Sequence, residues 1–442
     1  MTDQPGSNAG RSADSADNVD DAPAEHVPTP LLAPADGVPP VISTAAEFAD
    51  AADRIVAGTG PIAVDTERAS GYRYSQRAYL IQIKRAGSGI MLVDPTNEPD
   101  ALDPLIDALD GPEWILHAAD QDLPCLREAG FRCTTLFDTE LAGRLLGLPK
   151  VNLATEVAHF LDLGLAKGHG AADWSRRPLP DDWLNYAALD VEVLIELRDA
   201  VAAELVAAGK DEWARQEFAH VLSRPPSPVR TDRWRKTSNI HTVRKPRALA
   251  AVRELWTARE ELAQRRDVAP GRLLPDSAIV TAATADPHTA ADLAKLPVFG
   301  GPRQRKQASR WLAALQRARE LADDELPTRT TSSGGLPPIN RWDNRNPAAA
   351  ARAAAVRPAV KQIADDHNLP VENLLAPDVV RQICWDGVEP ATADAVDARL
   401  EAEGARPWQR ELTAAAIAEA INADLTDADS PSDVNPSGPQ DD

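Results

Sequence analysis

An apolar run, Ile62-Ala63-Val64, ends in Asp65-Thr66-Glu67, two carboxylates one residue apart. In a β strand, alternation sends Asp65 and Glu67 to the same face. Like charges held that close raise each other's pKa unless a cation lies between them. A hard divalent ion suits such an all-oxygen pair. Taken alone, a strand end capped by two solvated acids is the plainer account. Two further stretches change the balance. His117-Ala118-Ala119-Asp120-Gln121-Asp122 opens a helical stretch after the apolar strand Trp114–His117. Tyr186 and Asp190 lie four apart in a helical pattern and share one helix face.

Alternating elements must position these groups. A helix is expected over Ala45–Val56, capped by Ser43. Tyr79–Ile83 and Ile90–Asp94, split by the turn at Gly87-Ser88-Gly89, join the Asp65 strand in an antiparallel meander. A helix near Leu102–Leu109, the strand Trp114–His117, a helix over Leu123–Ala129 and a short strand at Leu136–Asp138 follow. Helices then fill the span from Thr139 to about Ala208. This order implies a mixed sheet covered on both faces.

The 442 residues suffice for two or three domains. No apolar run approaches the roughly 20 residues of a bilayer helix, and no basic-then-apolar leader opens the chain. Cys125, Cys133 and Cys384 form no C-x-x-C pair. Free thiols and a cytoplasmic location are expected. The net charge of −21 is unevenly spread. Residues 1–40 carry seven acids and one base, and residues 421–442 carry six acids and no base. Residues 224–320 instead carry 20 Lys/Arg against nine Asp/Glu, a basic middle that suits phosphates. Both acidic tails, 1–40 and 423–442, read as disordered.

The motifs in this order resemble the DEDD superfamily of 3′-5′ exonucleases, built on a ribonuclease H-like sheet. The resemblance is to the ribonuclease D family, in the subgroup with a tyrosine in its last motif. Asp65 and Glu67 match the first motif, D-x-E. Asp122, in Gln121-Asp122-Leu123, matches the second, and Tyr186 with Asp190 the third, Y-x-x-x-D. The flanks agree: Tyr74 and Leu80-Ile81-Gln82 after the first motif, Phe137-Asp138-Thr139, and Asp173-Trp174 with Arg177-Pro178-Leu179 before the third. His117 and Asp122 have the H-x-x-x-x-D spacing of a sister subgroup's third motif, but they follow the fourth strand, where the second motif belongs.

The resemblance implies that Asp65, Glu67, Asp122 and Asp190 hold two divalent ions, Mg²⁺ or Mn²⁺, about 3.5–4 Å apart. Tyr186 would orient the attacking water, since an ordinary tyrosine pKa near 10 makes a poor base. Asp138 is expected to support the site. Tyr74 and Gln82 are candidates for the terminal nucleotide, a core tyrosine and a satisfied amide being equal alternatives. His117 is either structural or close to substrate, with the structural role favoured. Lys167 and His169, in the loop Gly164–Gly170, are phosphate candidates against a default of a solvated loop.

The remaining chain divides as a basic linker at 223–243, a helical domain at 244–325, a linker at 326–345 and a second helical domain at 346–422. In the basic linker, Trp234 and His241 suit base stacking and phosphate contact as well as they suit a solvated linker. Residues 244–325 resemble the helicase-and-ribonuclease-D C-terminal (HRDC) domain, with Arg272, Arg303, Arg305 and Lys306 as phosphate candidates. Leu374-Leu375-Ala376-Pro377-Asp378 echoes Leu273-Leu274-Pro275-Asp276 at an offset of about 101, which marks a second HRDC-like bundle. The expected fold is thus an α/β ribonuclease H-like exonuclease domain at 41–222, then two small all-α bundles. The expected activity is a metal-dependent 3′-5′ exoribonuclease that releases nucleoside 5′-monophosphates in tRNA or other structured-RNA 3′ processing. It would act as a monomer with no membrane partner. A DNA exonuclease and a catalytically silent nucleic-acid scaffold are the alternatives.

Overall fold

The computed structural model describes residues 26–166, 168–225, 231–329 and 335–428, the last five by backbone alone. In chain order the amino-terminal domain comprises β1 (Thr29–Leu31), β2 (Val41–Ile42), α1 (Ala45–Ala57), β3 (Thr59–Arg68), β4 (Ala78–Ala86), β5 (Gly89–Val93), α2 (Asp103–Leu109), β6 (Glu113–Leu116), α3 (Leu123–Glu128), β7 (Thr135–Asp138), α4 (Thr139–Leu145), α5 (Leu153–Leu161), β8 (Leu163–Leu165), α6 (Asp181–Glu192), α7 (Leu194–Ala207) and α8 (Asp211–Ser223). Six strands form one mixed sheet in the order β2-β5-β4-β3-β6-β7. β3, β4 and β5 are the expected antiparallel meander, and β2, β6 and β7 run parallel to their neighbours.

The register of β3 decides where the chemistry sits. Asp65 stands opposite Gln82 and Glu67 opposite Leu80 on β4. On the other side β3 pairs with β6 only at Ile62 and Ala63. Past Ala63 that flank of the strand is free of ladder bonds and leaves a crevice. α1 begins at a capping box: Thr44 is its N-cap, and Glu47 Oε2 accepts from the Ser43 and Thr44 amides at 2.7 and 3.0 Å. The cap is thus one residue later than expected, because the Thr44 hydroxyl and Glu47 satisfy the free amides reciprocally.

The expected disordered stretch 1–40 is shorter. From residue 26 the chain is placed: β1 pairs in parallel with β8, Asn185 Nδ2 donates to the Leu32 carbonyl, and the Ala35 amide donates to Glu192 Oε1. These backbone bonds supply the order that the Pro-rich composition conceals. Residues 1–25, expected to be disordered, lie outside the described residues.

Two helical units follow. The first holds α9 (Pro246–Arg266), α10 (Pro270–Leu273), α11 (Asp276–Ala285), α12 (Ala290–Lys295), α13 (Pro302–Arg305) and α14 (Ala308–Glu320). The second holds α15 (Trp342–Arg345), α16 (Pro347–Asp366), α17 (Val371–Leu374), α18 (Pro377–Asp386), α19 (Ala393–Ala402) and α20 (Pro407–Ala428). α16, α17 and α18 start 101 residues after α9, α10 and α11, so the echo in sequence is an echo in helix order.

Both linkers are smaller than expected. Trp234 is 3% exposed in the core of the first unit, with its indole N–H on Asp232 Oδ1 at 3.1 Å, so it is not a free stacking platform. Trp342 is fully buried, and Leu336 and Ile339 pack on the same core, so the second unit begins near 336 and not at 346. Large apolar side chains at both places gain more from burial than from a solvated linker. The carboxyl-terminal tail also starts later than 423, because α20 runs to Ala428. Residues 429–442 lie outside the described residues.

The second unit shares one continuous core with the amino-terminal domain, whereas the first unit has its own. Lys210 Nζ donates to the carbonyls of Leu145 and His367, both at 2.7 Å. Trp213 and Trp408 stack at 4.8 Å, and Glu217 Oε1 accepts from Arg406 Nε at 2.5 Å and Trp408 Nε1 at 2.9 Å. Among the described residues no helix is long and apolar enough to cross a membrane, and the three cysteines are free.

Candidate active site

The carboxyl-terminal half of β3 carries Asp65 and Glu67 on one face, and α6 crosses that face. Carboxylate oxygens of Asp65, Glu67 and Asp190 lie within 4.8 Å of one another. Tyr186, one turn before Asp190, is hydrogen-bonded to the Asp190 carboxylate. Asp122 lines the same cavity but reaches it through the crevice beside β3. Its Oδ1 accepts from the Thr66 hydroxyl at 2.7 Å. The cavity encloses about 760 Å³ and extends from these acids past His117 to Glu140, Arg144 and Asn152.

Electrostatics match the geometry. Burial, then the charges of Asp122, Asp190 and Glu67, hold the Asp65 carboxyl well above its usual range. Asp65 is half-buried, with its opening towards the cavity. Burial, then Asp190 and Asp122, push Glu67 up to about 9. Burial raises Asp122 to about 6 against the Thr66 hydrogen bond, and Asp190 to about 7 against the Tyr186 bond. Four acids that all resist ionisation, with oxygen donors converging on one space, form the donor set a divalent cation needs.

Asp138 sets the turn that delivers Asp122. Its Oδ1 accepts from the Ala118 amide at 3.0 Å and from Leu141 at 3.2 Å, and its Oδ2 from Ala119 at 2.8 Å. Those bonds hold Ala118 at φ 62°, a left-handed conformation that an alanine adopts only when over-determined. Asp138 thereby caps α4 and fixes the Ala119–Gln121 turn before Asp122.

The remaining candidates divide by location. His117 is in the cavity wall. Its Nδ1 lies 2.8 Å from Thr139 Oγ1, and burial lowers it to about 4, so it is neutral and bridges β6 to α4. His169 is beside the cavity, 3.3 Å from Asp182 and packed near Trp183 and Tyr186. The loop before it passes so close that a Cβ on Gly168 would lie 1.9 Å from the Tyr186 ring. Lys167 lies outside the described residues. Gln82 is fully buried beside Asp65, with neither amide atom hydrogen-bonded, and presents nothing to the cavity.

Tyr74 and Arg272 belong to the contact between the amino-terminal domain and the first helical unit. Tyr74 packs on that unit's core, and its amide donates to Asp267 Oδ1 at 3.1 Å. Arg272 Nε donates to the Gly71 carbonyl at 2.7 Å, and its guanidinium lies 3.9 Å from the Tyr72 ring centroid. Arg303, Arg305 and Lys306 are exposed at α13, away from the cavity. Two lining residues, Thr66 and Arg68, are absent from the expected set. The signal was present: both alternate with Asp65 and Glu67 on the same strand.

Family models match the chain in three places. A 3′-5′ exonuclease model covers residues 39–206, an HRDC model covers 248–315, and a 3′ to 5′ exonuclease C-terminal domain model covers 335–421. The second helical unit therefore answers to an exonuclease-associated model. A ribonuclease D from Jannaschia sp. (strain CCS1) is 31% identical over 299 residues, 66% of this chain and 77% of the relative. A solved protein from Bifidobacterium adolescentis is 41% identical with a TM-score of 0.84, over 89% of this chain and 100% of that one. Escherichia coli RNase D shares the fold at 22% identity and a TM-score of 0.61, over 88% of this chain and 98% of that one. Divalent-metal chemistry on an RNA substrate goes with these matches and with the acidic cluster. The chain belongs to the ribonuclease D family and is a 3′-5′ exoribonuclease.

Proposed function

We propose that Asp65, Glu67, Asp122 and Asp190 hold two divalent ions, Mg²⁺ or Mn²⁺, at which RNA 3′ ends are shortened one nucleotide at a time. The products are nucleoside 5′-monophosphates, and the substrates are tRNA precursors or other structured RNAs. The observation that carries this reading is the convergence of three carboxylates from β3 and α6 within 4.8 Å, with Asp122 on the rim of the same cavity. Bound divalent ions would supply an acidified water and neutralise the phosphate and the leaving oxygen. The protein's own groups do the rest. Tyr186 is held above the ordinary tyrosine range by burial and by Asp190, Glu67 and Asp65, so its hydroxyl keeps its proton. It orients a water and does not deprotonate it. Thr66 and Asp138 fix Asp122 from two sides.

The four carboxylates and Tyr186 all come from one chain, so a monomer suffices for this reading. The helical units raise the local concentration of the nuclease at a 3′ end. The decisive test is digestion of 5′-labelled single-stranded RNA and matched DNA with Mg²⁺, Mn²⁺ or EDTA, with Asp65→Asn alongside. A metal-dependent ladder on RNA, absent in the variant, is expected. A folded Asp65→Asn protein with wild-type turnover refutes the assignment, and equal trimming of DNA moves the substrate class to both nucleic acids.

A further inference from the structure

We propose that Arg68 is a catalytic residue whose guanidinium binds a non-bridging oxygen of the scissile phosphate. The proposal rests on the reading of the four carboxylates as the metal-holding set. Among the described residues two arginines line the cavity, Arg68 and Arg144. Arg144 is spent on Glu140, to which it donates twice, at 2.8 and 2.5 Å. Arg68 is half-buried, and among the described residues no carboxylate lies within ion-pair distance of it.

The strand explains the placement. Alternation puts Thr66 on the face of β3 opposite Asp65, and a register shift between Glu67 and Arg68 breaks the alternation at the end of the strand, where Arg68 joins Asp65, Thr66 and Glu67 in the cavity lining. The ladder to β6 stops at Ala63, so this flank opens into the cavity where Asp122 sits. Thr66 binds Asp122 directly, and Arg68, two residues on, is near enough for its charge to favour the ionised forms of both Asp122 and Glu67. A guanidinium near two carboxylates that forms an ion pair with neither is free to take another anion.

Charge balance identifies that anion. Four ionised carboxylates and two divalent ions cancel. The scissile phosphodiester then brings one uncompensated negative charge. As the water oxygen gives up a proton to solvent and bonds to phosphorus, the P–O3′ bond breaks, and its electron pair leaves with the 3′ oxygen, which takes a proton from solvent. Negative charge builds on the non-bridging oxygens before the nucleoside 5′-monophosphate departs. Among the described residues Arg68 is the cavity-lining cation with no carboxylate partner, and its planar fork suits phosphate oxygens.

The test compares wild type, Arg68→Ala and Arg68→Lys as full-length proteins. Single-turnover cleavage of 5′-labelled RNA is measured at several RNA concentrations, and Mn²⁺ binding is measured separately by calorimetry. Arg68→Ala should slow the saturated cleavage rate by about 100- to 1,000-fold, the range for one transition-state donor, while the RNA half-saturation moves less than about fivefold. Arg68→Lys should recover part of the rate. Mn²⁺ affinity should hold or tighten, because a repelling cation has been removed. A saturated rate within about threefold of wild type overturns the proposal. So does a loss confined to RNA half-saturation, which would mean a grip on the RNA body, or a parallel weakening of Mn²⁺ binding, which would mean a structural role. If the alanine variant does not fold, Arg68→Gln is read by the same criteria. Failure of the metal reading itself would show separately, as activity in Asp65→Asn.

Discussion

Neutralising Asp190 without changing its shape should stabilise the metal-free protein while disabling it. Burial, with the Asp122 charge behind it, lifts the Asp190 carboxyl from 3.8 to about 7. Between those values the folded chain holds a proton that the unfolded chain has lost, so stability falls as pH rises through the interval. The loss opens above about pH 4 and is complete above about pH 7. At about 1.4 kcal/mol per unit over about three units, its upper limit is about 4 kcal/mol. Asp190→Asn removes that cost and also relieves Asp65 and Glu67, which both feel the Asp190 charge. The amide oxygen can still accept from Tyr186. An amide facing former anion partners recovers only part of the sum, so a gain of about 1–3 kcal/mol at about pH 8 is expected, fading towards pH 4. Thermal melts in EDTA across that range measure it. With Mn²⁺ at about 100 times its dissociation constant, the wild type should gain about 2.7 kcal/mol and the variant much less, so most or all of the variant's advantage is cancelled. A variant less stable than wild type in EDTA at high pH, or one whose advantage grows as pH falls, refutes the electrostatic argument.

Two substitutions probe the supports of the site. Asp138→Ala strands the amides of Ala118, Ala119 and Leu141 and releases the left-handed turn before Asp122. It should cost about 2–4 kcal/mol in a denaturant melt and lower turnover through Asp122. Gly168→Ala places a Cβ 1.9 Å from the Tyr186 ring, so the loop or the ring must move. A fall of about tenfold or more in saturated cleavage rate, with RNA binding retained, is expected, and an unchanged rate would mean that the loop yields freely.

The acids were legible because their positions follow from backbone periods alone. A period of two aligns Asp65 with Glu67, and a period near 3.6 aligns Tyr186 with Asp190. The repeat at an offset of 101 was legible for the same reason, since it governs local helix order. What failed to show was tertiary. Tyr74 and Arg272 have the chemistry of nucleic-acid handles, yet docking of the first helical unit uses them, and no local pattern reports a contact across about 200 residues. Trp234 has the same ambiguity, because an aromatic among arginines is equally a core anchor and a stacking platform until its surroundings are known. β1 escaped notice because its partner, β8, lies more than 130 residues away and neither strand has an alternating pattern.

The shared core of the catalytic domain and the second helical unit has a consequence for synthesis. All four carboxylates and Tyr186 precede residue 200, and β3 and α6, which carry four of these five residues, can meet early. The face that bears Trp213 and Glu217 has no cover until Trp408 arrives, 191 residues after Glu217. At about 5–20 residues per second that wait is about 10–40 s. During it, an indole surface and a lysine meant for the His367 carbonyl stand in water, while the entire first helical unit is made and folds on its own core. The nascent chain thus passes through a long interval in which its cutting half is assembled but its hydrophobic flank is bare, the interval in which a chaperone would find the most to hold.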